Sequence, residues 1–309
     1  MEKETLSREA FEEASNFVLH SARGLERNIY KYRFQNGNVG PILVELHHYQ
    51  NPDGGFGHGL EPDLRSPLSS PIATTHAFQQ LNKLDPEKIE GDLVKAGIDY
   101  FQKTFNPEVK RWFATPREIN DYPHAPWWHY DEEKGGTIID ESWGNPTAEI
   151  LGYLLKFNQF VDRIDTEKLL INAVERLDKN GDLTSEHEVQ CYVRLYRYLP
   201  SEWCSKIRDR LTHVVQQLVR TDPSEWDDYV PKPVDFVNGP DCFKFGISTQ
   251  SIEENLDFLV KTLENNGVIE PNWEWGQYEE EWGRAKKEWT GILTLRGLTL
   301  LNEFGRIRV

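Results

Sequence analysis

Apolar residues recur at helical spacing along almost the whole chain, and the alternating β-branched runs that build half-buried strands are scarce. That periodicity leaves an all-α fold. The stretch REAFEEASNFVLHSARGLERNIYKY carries acids early and bases late, as a helix dipole prefers, and reads as one helix. Further helices are expected at roughly 40–50, 71–84, 86–104, 146–161, 166–178, 185–199, 202–220, 249–265 and 288–304. Two irregular segments, near 105–144 and 221–248, are rich in Pro, Gly and aromatic residues. Ordered loops of that length usually serve function, and so many tryptophans and tyrosines argue against disorder.

The helices align at their starts. SPIATTHAFQQL from Ser70 and NPTAEILGYLLK from Asn145 each pair a capping residue with proline at the first helical position. Counting on from these caps, and from Thr184 and Thr290, reaches Ala77, Gly152, Cys191 and Gly297, small residues that let two helices approach closely. Glycine turns precede these helices, in PDGGFG, EKGG, KNGD and ENNG. A unit of helix, glycine turn, loop and helix cannot bury its apolar face alone and must stack on copies of itself. An open solenoid and a closed double ring both satisfy this; the ring is the preferred reading, as a single domain over residues 1–309.

Composition narrows the partners. Net charge is −16, with acids spread along the chain, which argues against nucleic acid or an anionic membrane. The N-terminal MEKETLSREAFEEASNF lacks the apolar stretch of a secretory signal, and no apolar run is long enough to span a bilayer. Cys191, Cys204 and Cys242 lie far apart in no zinc-like spacing, so they read as reduced thiols of a cytoplasmic protein. No metal and no cofactor are expected. The 10 Trp, 12 Tyr and 15 Phe weight the apolar content towards large rings, which pack cores and line pockets for sugars, rings and cations.

QNPDGGFG, Gln50 to Gly57, resembles the QW-type motif of the terpenoid cyclase and protein prenyltransferase superfamily, squalene cyclases included, with Phe56 where many members carry Trp. The resemblance implies an α/α toroid in which this turn braces an outer helix against an inner one. Physics agrees on the brace: Asp53, Gly54 and Gly55 suit a positive-φ turn, and Gln50 can bond open backbone groups at helix ends. The resemblance also implies an aromatic cavity that takes an isoprenoid-like, apolar or ring-containing small molecule and cyclises or isomerises it by acid-initiated carbocation chemistry.

The candidate acids fall in two places. His58, Glu61, Asp63 and Arg65 lie between the brace and the helix at Pro71, where burial at a cavity mouth would make a carboxyl a usable general acid. An Asp63–Arg65 pair with His58 packed on the turn is the structural alternative. Asp140 and Glu141, beside Trp143, precede the Asn145 start, with Glu149 in the first turn. Adjacent acids resist ionising together, although acids at a helix N-terminus also serve its dipole. Their placement resembles the acid motif of class II terpene cyclases, continued by Thr147 and Ala148, without the DxDD spacing. Candidate binding residues are Trp127, Trp128 and His129 in PHAPWWHY, with Trp143, His76 and Trp273; Trp275, Trp282 and Trp289 read as core. A carbohydrate-active α/α toroid, hydrolase or lyase, combines the same loop Trp, His and carboxylates and acts on oligosaccharides. A non-catalytic toroid that binds a ligand or protein stays open as well.

Overall fold

The computed structural model describes residues 3–89, 91–179 and 183–308. Among these residues the regular elements are helices, and β-structure is limited to isolated bridges, so the chain is all-α there. The helices are α1 (Arg8–Ser21), α2 (Gly24–Phe34), α3 (Gly40–Tyr49), α4 (Pro71–Leu81), α5 (Gly91–Thr104), α6 (Gly144–Lys156), α7 (Thr166–Lys179), α8 (Glu186–Tyr196), α9 (Ser201–Leu218), α10 (Pro233–Phe236), α11 (Thr249–Asn266) and α12 (Glu279–Glu303). No helix among the described residues is long and apolar enough to cross a membrane. The chain forms two compact units, Met1–Ile42 with Val215–Val309, and Leu43–Val214.

Several helix starts differ from the sequence expectation, each for a local reason. The first stretch is two helices, because Ala22 and Arg23 are both extended. Arg23 donates to Glu26 at 2.8 and 2.7 Å, tying the residue before α2 to the third residue inside it. Ser70 caps α4 as expected, accepting from the Ala73 N–H at 3.1 Å with Pro71 next. Asn145 is extended, as a cap would be, but lies inside the bounds of α6. The cap of α8 is Ser185 rather than Thr184, accepting from the Glu188 N–H at 3.3 Å. Thr290 is not a cap. It sits inside α12, where its hydroxyl donates to the Lys286 carbonyl, and α12 begins instead at three glutamates that suit the helix dipole. The KNGD turn includes Gly181, which lies outside the described residues.

In the unit Leu43–Val214, cross-helix pairs show how the helices run. Gln79 of α4 meets Glu149 of α6 at 2.9 Å, and farther along both helices Lys156 reaches Asn82. Glu188 of α8 meets Gly144 of α6, and farther along Arg194 meets Glu149. Positions rise together in both pairs, so α4, α6 and α8 are parallel, and the chain returns between them through α5 and α7. Their N-termini therefore share one end, the end that receives the long loops. Gly152 allows a close approach of α6 and α8: a Cβ there would lie 3.2 Å from the Leu195 Cα. The core is aromatic at its centre, where the Phe78 ring lies 5.2–5.9 Å from Phe101, Tyr153 and Phe157.

The turn after α3 is a brace. Gly54 has φ +93°, and a Cβ there would sit 2.2 Å from the Ala96 carbonyl oxygen of α5. Gln50 donates to the Gly54 and Leu93 carbonyls at 3.1 and 3.3 Å, and Phe56 is fully buried between bridges to Gln50 and Ser70. The loop 105–143 is docked rather than free. Trp112 is fully buried, donating from Nε1 to the Phe101 carbonyl at 2.6 Å and from its backbone N–H to Thr147 Oγ1 at 3.1 Å.

In the unit Met1–Ile42 with Val215–Val309, α1 packs on α2, α11 and α12. Arg306 is buried and donates to Asp257 at 2.6 Å, to Glu253 at 2.5 Å and to the Glu4 carbonyl, beside the parallel bridge of Leu6 and Ile307. Trp275 is core, whereas Trp282 and Trp289 are half-buried. Trp289 packs edge-on to Trp273 at 5.2 Å, and Trp273 to Tyr229 at 5.6 Å.

Candidate functional site

Three groups of chemistry-bearing residues lie along α4, α6 and α8 and in the loops at their shared N-terminal end. The first is a pocket of about 440 Å³ beside the start of α6. Asn106 starts its wall by accepting from the Glu108 and Val109 N–H groups, which turns the chain so that Val109, Arg111 and Phe113 line the pocket. Asp131 forms the next wall in the same way, accepting from the Glu133 and Lys134 N–H groups below Gly135, whose φ is +69°. Asp140, Glu141 and Trp143 follow, and Arg176 of α7 and Glu188 of α8 complete the lining.

The two adjacent acids do not share surroundings. Asp140 is buried, and both its oxygens are engaged: Thr137 N–H and Oγ1 donate to one at 2.8 Å each, and Ala114 N–H to the other at 2.8 Å. It closes a capping box with Thr137 and is committed as an acceptor. Glu141 is exposed and pairs with Lys134 at 2.8 Å. Arg111 is spent mainly on the Asp140 and Ser142 carbonyls, at 2.6 and 2.9 Å. Its guanidinium lies 5.3 Å from the Phe113 ring centre.

Glu188 is the acid that the sequence reading missed. Buried on α8, it accepts from the Gly144 N–H at 2.6 Å and so satisfies a helix start from outside. Burial pushes its carboxyl above the ordinary range, against the opposing pull of the Gly144 N–H and the Arg111 charge. The Arg176 guanidinium lies over Trp143, 5.0 Å from the ring centre, with Nε on Asn172 at 3.0 Å. A signal for Glu188 was present: Glu188, Cys191 and Arg194 recur every third residue and share one helix face. Nothing comparable marked Arg111 or Arg176.

The second group is a buried network farther along the same helices. Glu149 receives Gln79 at 2.9 Å, Arg194 at 3.1 Å, the Tyr153 hydroxyl and the Cys191 thiol. Burial raises the thiol and the phenol well above their ordinary ranges, so Cys191 is no activated nucleophile. This network ties α4, α6 and α8 together. The three cysteines are free thiols.

The third group joins two sequence segments that had been separate candidates. Leu64 and His124 form an antiparallel bridge, flanked by Ala125 N–H to the Asp63 carbonyl at 2.9 Å and Arg65 N–H to the Pro123 carbonyl at 3.0 Å. Glu61 and Asp63 are both buried on this ribbon, and Arg65 packs over Gly59. His58 is exposed at φ +56° and bonds Asn51 at 2.9 Å. Trp128 is buried, Trp127 half-buried and His129 exposed; His76 is half-buried on α4. Trp273 belongs to the other compact unit. Among the described residues no three His, Cys, Asp or Glu side chains are grouped to hold a metal.

Comparison with protein-family models, with curated proteins and with solved structures finds no match for this chain.

Proposed function

We propose that the chain binds a neutral, polyhydroxylated ring ligand of the carbohydrate class in the pocket between Val109 and Glu188. The observation that carries this reading is the balance of the lining: Arg111, Lys134 and Arg176 stand against Asp140, Glu141 and Glu188, beside the rings of Phe113 and Trp143. An excess of cations would select an anion, and an apolar wall an isoprenoid. A polar lining whose charges cancel suits hydroxyl groups, and the volume of about 440 Å³ lies in the range of small-molecule sites. Glu188 is assigned as the proton donor of a hydrolytic step, since Asp140 is committed as an acceptor, and Glu141 is the second carboxylate.

The parallel run of α4, α6 and α8 supports the α/α toroid reading, in which inner helices alternate with returning ones. Isoprenoid cyclisation remains a second reading, supported by the aromatic cluster of Tyr229, Trp273 and Trp289. A thermal-shift and calorimetry panel separates the two. Neutral oligosaccharides at a hundred times their dissociation constant should stabilise the chain by about 2.7 kcal/mol, several degrees at this size. Arg176→Ala and Glu188→Gln should weaken that shift, and Glu188→Gln should abolish hydrolysis. A shift with isoprenoid diphosphates alone would sink the carbohydrate reading, and no shift with either class would leave a non-catalytic protein-binding role.

A further inference from the structure

The loop 220–231 is closed at its base and anchored from inside. The Arg220 N–H donates to the Pro231 carbonyl at 2.8 Å, and buried Trp226 donates from Nε1 to the Arg220 carbonyl at 2.9 Å. Its outer part carries Asp227, Asp228 and Tyr229, all exposed. A second loop is pinned there: Asn272 Nδ2 donates to the Asp227 carbonyl at 3.1 Å, and the next residue, Trp273, packs on Tyr229. Ile269 N–H on Thr294 Oγ1 at 2.9 Å and core Trp275 hold this second loop on either side of Asn272. Both rings are therefore presented by backbone that is tied down. All of these residues belong to the compact unit Met1–Ile42 with Val215–Val309.

The ring geometry is that of a corner. Trp273 stands at 77° to Tyr229 and at 79° to Trp289, with ring centres 5.6 and 5.2 Å apart. Whichever ring of such a pair presents its edge, a face of one and the remaining face of the other meet at nearly a right angle. A compact cation in that angle lies about 5 Å from one ring centre and about 6 Å from the other, within reach of both π faces. Tyr229 is 52% exposed, so its pair with Trp273 is open to solvent, while half-buried Trp289 backs Trp273.

Charge and shape select the occupant. Asp227 and Asp228 precede Tyr229, and exposed Glu274 follows Trp273. Against these three carboxylates stands Lys232, with Nζ on the Asp228 carbonyl at 3.3 Å. A planar guanidinium stacks on a single ring, whereas a tetrahedral ammonium clothed in methyl groups fills the angle between two. We propose that the Tyr229–Trp273 corner binds a small soluble quaternary ammonium cation of the choline class, its methyl groups on the two rings and its charge met by Asp227 and Asp228. The site lies outside the pocket lining and does not depend on the carbohydrate reading.

The test compares choline with its uncharged isostere, in which a quaternary carbon replaces the nitrogen, on the full chain at constant ionic strength. Tryptophan fluorescence and calorimetry should show saturable choline binding, with the isostere weaker by about fivefold or more. Tyr229→Leu keeps apolar bulk but removes the ring, and should weaken choline by about threefold or more while circular dichroism confirms folding. Asp227→Asn, also an exposed change, should weaken choline and leave the isostere unaltered. Phosphocholine carries the phosphate of a lipid headgroup, and should bind more weakly than choline because that anion meets the same carboxylates. Phe243→Leu, at an exposed ring of the same unit, serves as the control and should change nothing. An isostere that binds as well as choline, choline affinity that survives Tyr229→Leu, tighter binding of phosphocholine, or no saturable choline binding overturns the proposal.

Discussion

The brace after α3 can be broken with one methyl group. Gly54→Ala carries two separable penalties. The first is conformational: φ of +93° disfavours any L side chain, at a cost of about 1 kcal/mol or somewhat more. The second is steric, because the new Cβ would sit 2.2 Å from the Ala96 carbonyl oxygen, which belongs to helix backbone and cannot rotate away. Restoring contact distance means displacing α5 from the turn by about an ångström, an overpacking cost of about 1–3 kcal/mol. The expected total is about 3 kcal/mol. At about 3 °C per kcal/mol for a unit of this size, the midpoint should fall by roughly 10 °C. Gly135→Ala isolates the first penalty, since its φ is +69° and a Cβ there would meet nothing within 4 Å. Parallel thermal melts of both variants decide the matter. If Gly54→Ala costs no more than Gly135→Ala, the turn does not hold α5 and the brace is not one.

Two further outcomes follow from the buried groups of the same unit. Arg194→Met removes the cation facing Glu149 while Gln79 and Tyr153 still donate to it, so the loss should be about 2–3 kcal/mol, below the usual cost of breaking a buried pair; the double variant with Glu149→Gln should be less destabilised than the two single losses combined, and simple additivity in urea titrations would show that the pair does not interact. The raised Glu188 carboxyl stabilises the fold while protonated, below its ordinary 4.5, and loses that contribution as pH rises through its folded value. Glu188→Gln keeps an acceptor for the Gly144 N–H, so its stability relative to the unmutated chain should improve as pH rises from the ordinary carboxylate value through the raised folded one, and a flat difference would refute the burial argument.

What was legible in the sequence follows what local physics can encode. Helix class and most boundaries were readable because periodicity and caps such as Ser70–Pro71 are local signals. The break at Ala22–Arg23 was not, since it depends on Arg23 folding back onto Glu26 inside an otherwise helical pattern. Thr290 misled for the opposite reason: it looks like a cap, yet the glutamates upstream already start the helix. Of the pocket-lining residues, Asp140 and Trp143 stand out in the sequence by their position before α6, but the role of Asp140 as a capping acceptor needed its three donors in view. Arg111 and Arg176 come from distant segments and meet only in three dimensions, so no spacing announced them.

The direction of α4, α6 and α8 explains why so many separate candidates gather in one region. Parallel helices joined through return helices must deliver every connecting loop that precedes them to the same end. The loop 50–70 therefore arrives beside 105–143, and the ribbon of Leu64 with His124 is one consequence. Glu188 is another, because the first turn of α8 falls level with the first turn of α6 and can accept from Gly144. One turn and a half deeper, the same two helices are tied again through Arg194 and Glu149. Polar side chains at the loop end have space and solvent and so can serve a ligand. Those one layer down, with Glu149 buried at their centre, bond mainly to one another, and they serve the fold.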